Sequence, residues 1–256
     1  MQDSRFTYSF DTLSQISQDI LNQAKKAGAS ACEAEVSQGF GQSVTVRRDE
    51  VETIEYNRDK GLGVTVYFGQ RRGHASTSDL SPAAILDTVK AACSIARHTA
   101  SDEFAGLADE ALLEKNPPEL DLYHPWDLPV EQAIALAQEC EAAAMGVDSR
   151  INNSEGASVS IQESLFVYAN SSGFLGSYPT TRHGISCAVL AESEQGMQRD
   201  YWYASARAAA DLESAASVDG PWAPVPEPWW RTNSGQNQVS ILAPESMKFF
   251  RLRLGP

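Results

Sequence analysis

The stretch Arg47 to Leu80, RRDEVETIEYNRDKGLGVTVYFGQRRGHASTSDL, constrains the fold more than any other. Val64, Val66 and Phe68 alternate with Thr65 and Tyr67, a period of two that sets one apolar face against a core and leaves the other half-polar. Gly61 and Gly63 flank Leu62, and Arg71-Arg72-Gly73 follows. Glycine reaches positive φ without a side-chain clash, so both places read as chain reversals. The stretch predicts two strands, a glycine-bearing turn, a third strand and a tight turn into a fourth, curling as an antiparallel sheet.

Helices flank this sheet. Leu13, Ile16, Ile20, Leu21, Ala24 and Ala27 recur at three and four residues, the spacing of an amphipathic helix, with Ser9 or Asp11 as its cap and Gly28 as its stop. Strands are expected at 31–37 and 43–48. Ser81-Pro82 reads as an N-cap with proline at the first helical position, followed by an apolar face of Ile85, Val89, Ala92, Cys93 and Ala96. Pro129 opens a further helix with Ala133, Leu136, Ala137, Cys140 and Ala144 on one face, and Gly146 ends it. Period-two runs at 157–161, 165–169 and 185–190, with 200–204 as a fourth strand, repeat the sequence helix, then strands.

The fold class that follows is α+β, two related units, each a helix with a mainly antiparallel curled sheet. The expected organisation is an N-terminal domain over 1–100, a linker over 101–127 that holds Pro117-Pro118 and Pro125, and a second domain over 128–219. A faint echo supports the duplication: YNRDKGLG at Tyr56 to Gly63 against YANSSGFLG at Tyr168 to Gly176. The last segment, 220–256, departs from all this. It holds six of the twelve prolines and three of the five tryptophans, and four cations against two carboxylates give it +2 in a chain of net charge −14. That break predicts an atypical tail, disordered or frameshifted; a proline-rich docking arm is the other reading.

Composition excludes several functions. Phosphate binding rests on clustered Lys and Arg, so net −14 argues against nucleic acid. No run of about 18 apolar residues is present, and MQDSRFTYSFDTLSQ lacks the basic and apolar regions of a signal peptide. No membrane contact and a cytoplasmic location are therefore expected. Cys32, Cys93, Cys140 and Cys187 stand singly and read as buried or half-buried free thiols.

No catalytic, metal or cofactor-binding residue is assigned. His74, His98, His124 and His183 form no HExxH-like pair, and no Cys-x-x-Cys occurs. Asp49, Glu50, Glu52 and Glu55 with Arg47, Arg48, Arg58 and Lys60 alternate with Val51, Ile54 and Tyr56. This pattern reads as the wet face of strands and the blunting of an exposed edge, an edge that could hold an extended peptide through its main chain. Gly61-Leu62-Gly63 precedes a strand rather than a helix, outside any phosphate-binding context.

The run from Arg58 through GLGVTVYFGQRRGHASTSDL and the Ser81-Pro82 helix resembles the N-terminal signature of the PmbA/TldD family, the modulators of DNA gyrase. KKAGAS before ACEAEVSQG, and SVSIQESLFVYANSSGF with YWYASARAAADL, are similar to its PmbA (TldE) branch; the likeness covers about 9–219. The resemblance implies a non-catalytic subunit of a cytoplasmic metallopeptidase complex that degrades unfolded peptides. The expected partner is a TldD-like subunit, which carries the zinc in an HExxxH motif with no counterpart here. It also implies that the family's C-terminal domain is missing. A non-proteolytic modulator of gyrase or a toxin–antitoxin system, or an inactive truncated product, are the alternatives.

Overall fold

The computed structural model of the chain describes residues 5–194 and 196–212 and, as backbone alone, 213–216, 230–233, 236–239 and 253–254. Helix α1 (Phe10–Lys26) begins where the Ser9 hydroxyl accepts the Thr12 N–H at 3.2 Å, which satisfies one of the donors a helix start leaves open. It ends before Gly28, at φ 89°. Strands β1 (Ala31–Arg47), β2 (Glu50–Phe68) and β3 (Arg71–Thr77) follow, then α2 (Pro82–His98), capped by Ser81. A mostly exposed connection with a 3-10 turn at Glu110–Leu112 leads to α3 (Val130–Met145), β4 (Ile151–Asn170), β5 (Leu175–Ser193), β6 (Gly196–Ala206) and α4 (Ala209–Ala216). The order helix, three strands, helix therefore occurs twice. The fold is a mixture of helices and a curled antiparallel sheet, ordered β3-β2-β1-β4-β5-β6.

The strands are longer than the sequence led us to expect. Residues 31–37 and 43–48 belong to one strand, and so do 157–161 and 165–169. Gly61-Leu62-Gly63 is no reversal; it lies inside β2, where a Cβ on Gly63 would sit 3.2 Å from the His74 ring. The chain turns instead at Gly69 (φ 60°). Gly73 lies in β3, paired with Val66, and a Cβ there would come within 2.2 Å of the Ala92 carbonyl and 2.4 Å of the Ala96 nitrogen. Close passage of α2, not a turn, requires that glycine. The echo of YNRDKGLG and YANSSGFLG joins unlike places, since the first is mid-strand and only the second carries a turn, at Gly173 (φ 94°).

Packing divides the chain into two compact units. The first comprises Met1–Phe40, Asn57–Leu122 and Glu163–Thr180. Its core sets Leu13, Ile20 and Ala24 of α1 and Val89, Ala92 and Ala96 of α2 against Ala34, Val36, Val64, Val66 and Val167 of the strands. Each fully buried valine or leucine contributes about 1.5–3 kcal/mol against leaving it in water. The second comprises Gly41–Tyr56, Tyr123–Gln162 and Thr181–Pro256, and its core joins Val44, Val46, Ala157, Val159 and Ile185 to Ala133 and Ala137 of α3 and Leu212 of α4. Near the end, β7 (Trp230–Asn233), β8 (Gln236–Val239) and β9 (Arg253–Leu254) form a separate small sheet. The expectation of a disordered or frameshifted tail over 220–256 falls for the most part outside the described residues.

Candidate functional site

In the first unit, strand alternation sorts the side chains into two sets. Cys32, Ala34, Val36, Val64, Val66, Leu165 and Val167 share a core with the helices, so the residues between them face the other way. Glu33 is the centre of that second face. One of its carboxylate oxygens accepts the Tyr67 hydroxyl at 2.5 Å and the other accepts the Tyr168 hydroxyl at 2.8 Å. Burial first, and the Glu33 acceptor and its charge after it, push the Tyr67 phenol up to about 12; burial and the same carboxylate raise Tyr168 to about 12. These phenols stay neutral donors at any physiological pH. Phe174 stacks obliquely on Tyr168 at 5.8 Å, and Phe166 on Tyr178 at 5.5 Å. The face is aromatic and hydrogen-bonding.

In the second unit, β6 is an edge strand. Among the described strands it pairs only with β5, Ser186 opposite Tyr203, Cys187 opposite Trp202 and Ala188 opposite Tyr201. Met197, Tyr201, Trp202 and Tyr203 are exposed along it. Small residues opposite the tyrosines leave their rings standing clear of the sheet. Arg199 pairs with Glu155 at 2.7 Å and lies 5.5 Å from the Tyr201 ring centre. Exposed aromatic residues and methionine, beside main-chain groups that no described strand occupies, are what a peptide-holding edge offers.

The sequence-selected residues do not converge on a metal. The His74 ring nitrogen Nδ1 lies 3.1 Å from the Thr65 hydroxyl, and that of His98 lies 2.8 Å from the Ser94 carbonyl. His183 is buried against Trp126, its Nε2 donating to the His124 carbonyl at 2.9 Å. Among the described residues no three of His, Cys, Asp or Glu group closely enough to hold an ion. The four cysteines are free thiols, Cys32 and Cys93 buried and Cys140 and Cys187 half-buried, in agreement with the reading of the sequence. Glu50 to Lys60 is exposed throughout, as expected of a wet edge. The Glu33–Tyr67–Tyr168 cluster was missed. Its only signal was the polar phase of the strand alternation, and its members are separated by up to 135 residues.

Solved structures place the chain in a class. It superposes on a protein from Bacteroides thetaiotaomicron assigned as a modulator of DNA gyrase with a TM-score of 0.72 and 25% identity, over 79% of this chain and 46% of that one. A similarly assigned protein from Thermotoga maritima (TM-score 0.62, 16% identity, 80% and 45% covered) and TldE from Thermococcus kodakarensis (0.56, 12%, 75% and 43%) share the fold. The class is that of the gyrase-modulator fold. Residues 32–96 match the model of the PmbA/TldA metallopeptidase domain 1, and residues 123–220 that of the central domain. The chain belongs to the PmbA/TldA metallopeptidase family. It is 46% identical to the metalloprotease PmbA of Escherichia coli O157:H7 over 194 residues, covering 76% of this chain and 42% of the relative. Against the PmbA homologue of Haemophilus influenzae it is 41% identical over 224 residues, 88% and 47% covered. The chain spans about half the length of the curated relatives it matches.

Proposed function

We propose that this chain is a non-catalytic, PmbA/TldE-type subunit of a cytoplasmic metallopeptidase complex, in which it holds unfolded peptide while a TldD-like partner supplies zinc and the hydrolytic step. The supporting observation is the β6 edge, where exposed Tyr201, Trp202 and Tyr203 flank main-chain groups that no described strand occupies. Such addition draws its affinity from the main chain and so tolerates many sequences, as clearance of unfolded peptide demands. Co-expression with a TldD-like partner tests it. The complex should contain zinc and cleave peptides, whereas this chain alone should do neither; stoichiometric zinc on the isolated chain would sink the proposal. Within the complex, Tyr203→Ala should raise KM several-fold and leave kcat nearly unchanged, because it removes binding that ground state and transition state share.

A second reading rests on the two structural relatives assigned as modulators of DNA gyrase. In it the chain binds a protein target without proteolysis. Rescue of a gyrase-related phenotype in cells that lack the zinc-bearing partner favours this reading, and strict dependence on that partner removes it.

A further inference from the structure

Cys140 and Cys187 are far apart in sequence, one on α3 and the other on β5, and the second unit folds them together. Both side chains pack against the core formed by Ala133, Ala137, Ala157, Val159 and Ile185. There the two thiols meet closely enough for one to hydrogen-bond the other. Both are half-buried, so a small oxidant has a way in, whereas Cys32 and Cys93 of the first unit are sealed at 2% and 1% exposure.

We propose that Cys140 and Cys187 form a redox site, at which the folded chain closes a reversible disulfide that ties α3 to β5. Two thiols in contact are inert packing unless one of them ionises, since the thiolate is the attacking form. The hydrogen bond from Cys187 holds the Cys140 thiol below its ordinary value, against burial and the Glu141 charge, which both act to raise it. The same contact raises Cys187, with burial and the charges of Cys140 and Glu141 adding to it. One sulfur is thereby made the nucleophile and the other is kept protonated, the division of labour between an attacking and a resolving cysteine.

With glutathione disulfide as the oxidant, the Cys140 thiolate attacks one of its sulfurs. The glutathione S–S bond breaks, one glutathione leaves and takes up the proton that Cys140 gave, and a mixed disulfide remains on Cys140. The anion that opposed ionisation of Cys187 is then gone. Cys187 loses its proton, attacks the Cys140 sulfur and expels the second glutathione, which takes up that proton. Two protein thiols are oxidised and one glutathione disulfide is reduced to two glutathiones. In a reducing compartment such a bond is transient and reports the oxidant. It forms on the strand that carries the aromatic edge, because Cys187 stands opposite Trp202 of β6.

Oxidation of the full chain with glutathione disulfide, followed by thiol counting and non-reducing peptide mapping, tests the proposal. Two of the four thiols should be lost together, the mapped link should join the peptides of Cys140 and Cys187, and excess dithiothreitol should restore both. The Tm of the oxidised chain should rise by several degrees, because the link restricts the unfolded chain. Cys187→Ser should stop at a mixed disulfide on Cys140, and Cys140→Ser should slow thiol loss at Cys187 by about tenfold or more. A chain that keeps four free thiols, that collects glutathione on both cysteines without joining them, or that links only between molecules would overturn the proposal, as would an oxidised chain less stable than the reduced one. The map is made on the unaltered chain, so a variant that fails to fold leaves the outcome decided.

Discussion

Glu141 of α3 accepts the backbone N–H of Asp49 at 2.9 Å, and its other carboxylate oxygen accepts that of Arg48 at the same distance. Arg48 and Asp49 form the two-residue turn between β1 and β2, with φ of 52° and 65°. Hairpin turns of this hand usually call on Asn or Gly, since a side chain at positive φ costs about 1 kcal/mol. Here the donors that the turn presents converge on one buried anion, which offsets that cost. Burial alone would raise the Glu141 carboxyl, but the Asp49 N–H, the Ser154 hydroxyl, the Arg48 N–H and the Arg47 charge together hold it below its ordinary value.

Glu141→Gln should therefore destabilise the fold by about 1–3 kcal/mol, because an amide presents an NH2 where one of the two N–H groups needs an acceptor. Chemical denaturation at pH 7 measures it. The pH dependence has a definite sign. Folding lowers this pKa, so its contribution is present above the unfolded value near about 4.3 and is lost as pH falls through the folded one. The variant and the parent should converge in stability in acid.

Gly73→Ala should cost on the order of 3 kcal/mol or more, since the added methyl would lie 2.2 Å from the Ala92 carbonyl and could be accommodated only by moving α2 from β3. The Tm should fall sharply. An equivalent change at Gly106, where a Cβ meets nothing within 4 Å, is the control and should shift it little.

Alkaline titration reports on Glu33. Tyr67 and Tyr168 are raised to about 12 in the folded chain against about 10 when unfolded. The unfolded chain loses these protons first, so their contribution is intact below about pH 10 and lost as pH rises towards 12. Phenolate absorbance should show two late-titrating tyrosines in the parent. In Glu33→Gln they should titrate earlier, with the anion that opposed their ionisation gone.

Thiol reactivity should separate the cysteines. Burial, with Cys93 and Glu33 adding to it, raises Cys32 to about 12, and the thiolate is the reactive form. A disulfide reagent at pH 8 should leave Cys32 and Cys93 untouched in the folded chain and reach all four thiols once it is unfolded.

Local chemistry was readable in the sequence where the cause is local. Ser9 with α1 and Ser81-Pro82 with α2 are caps adjacent to what they cap, and both hold in the structure. The strand interiors were harder because their glycines answer to distant atoms: Gly63 to the ring of His74 and Gly73 to the backbone of α2. Each resembles a turn to anyone who sees only its neighbours in sequence. The turn that does exist, at Arg48-Asp49, lacks glycine because Glu141, 92 residues beyond Asp49, supplies what glycine would otherwise be needed for. The aromatic edge of β6 was visible as a strand, but its exposure depends on which strand ends the sheet.

The first compact unit takes in Glu163–Thr180 as well as the N-terminal helices and strands. During synthesis, α1, α2 and the first three strands leave the ribosome well before Leu165, Val167 and Ala169, the residues that complete their core. At about 5–20 residues per second, that core must wait several seconds for its last wall. Until then the core has its helices and first strands but lacks the wall that Leu165, Val167 and Ala169 supply, and this is the interval in which a nascent copy is open to chaperones or to its neighbours.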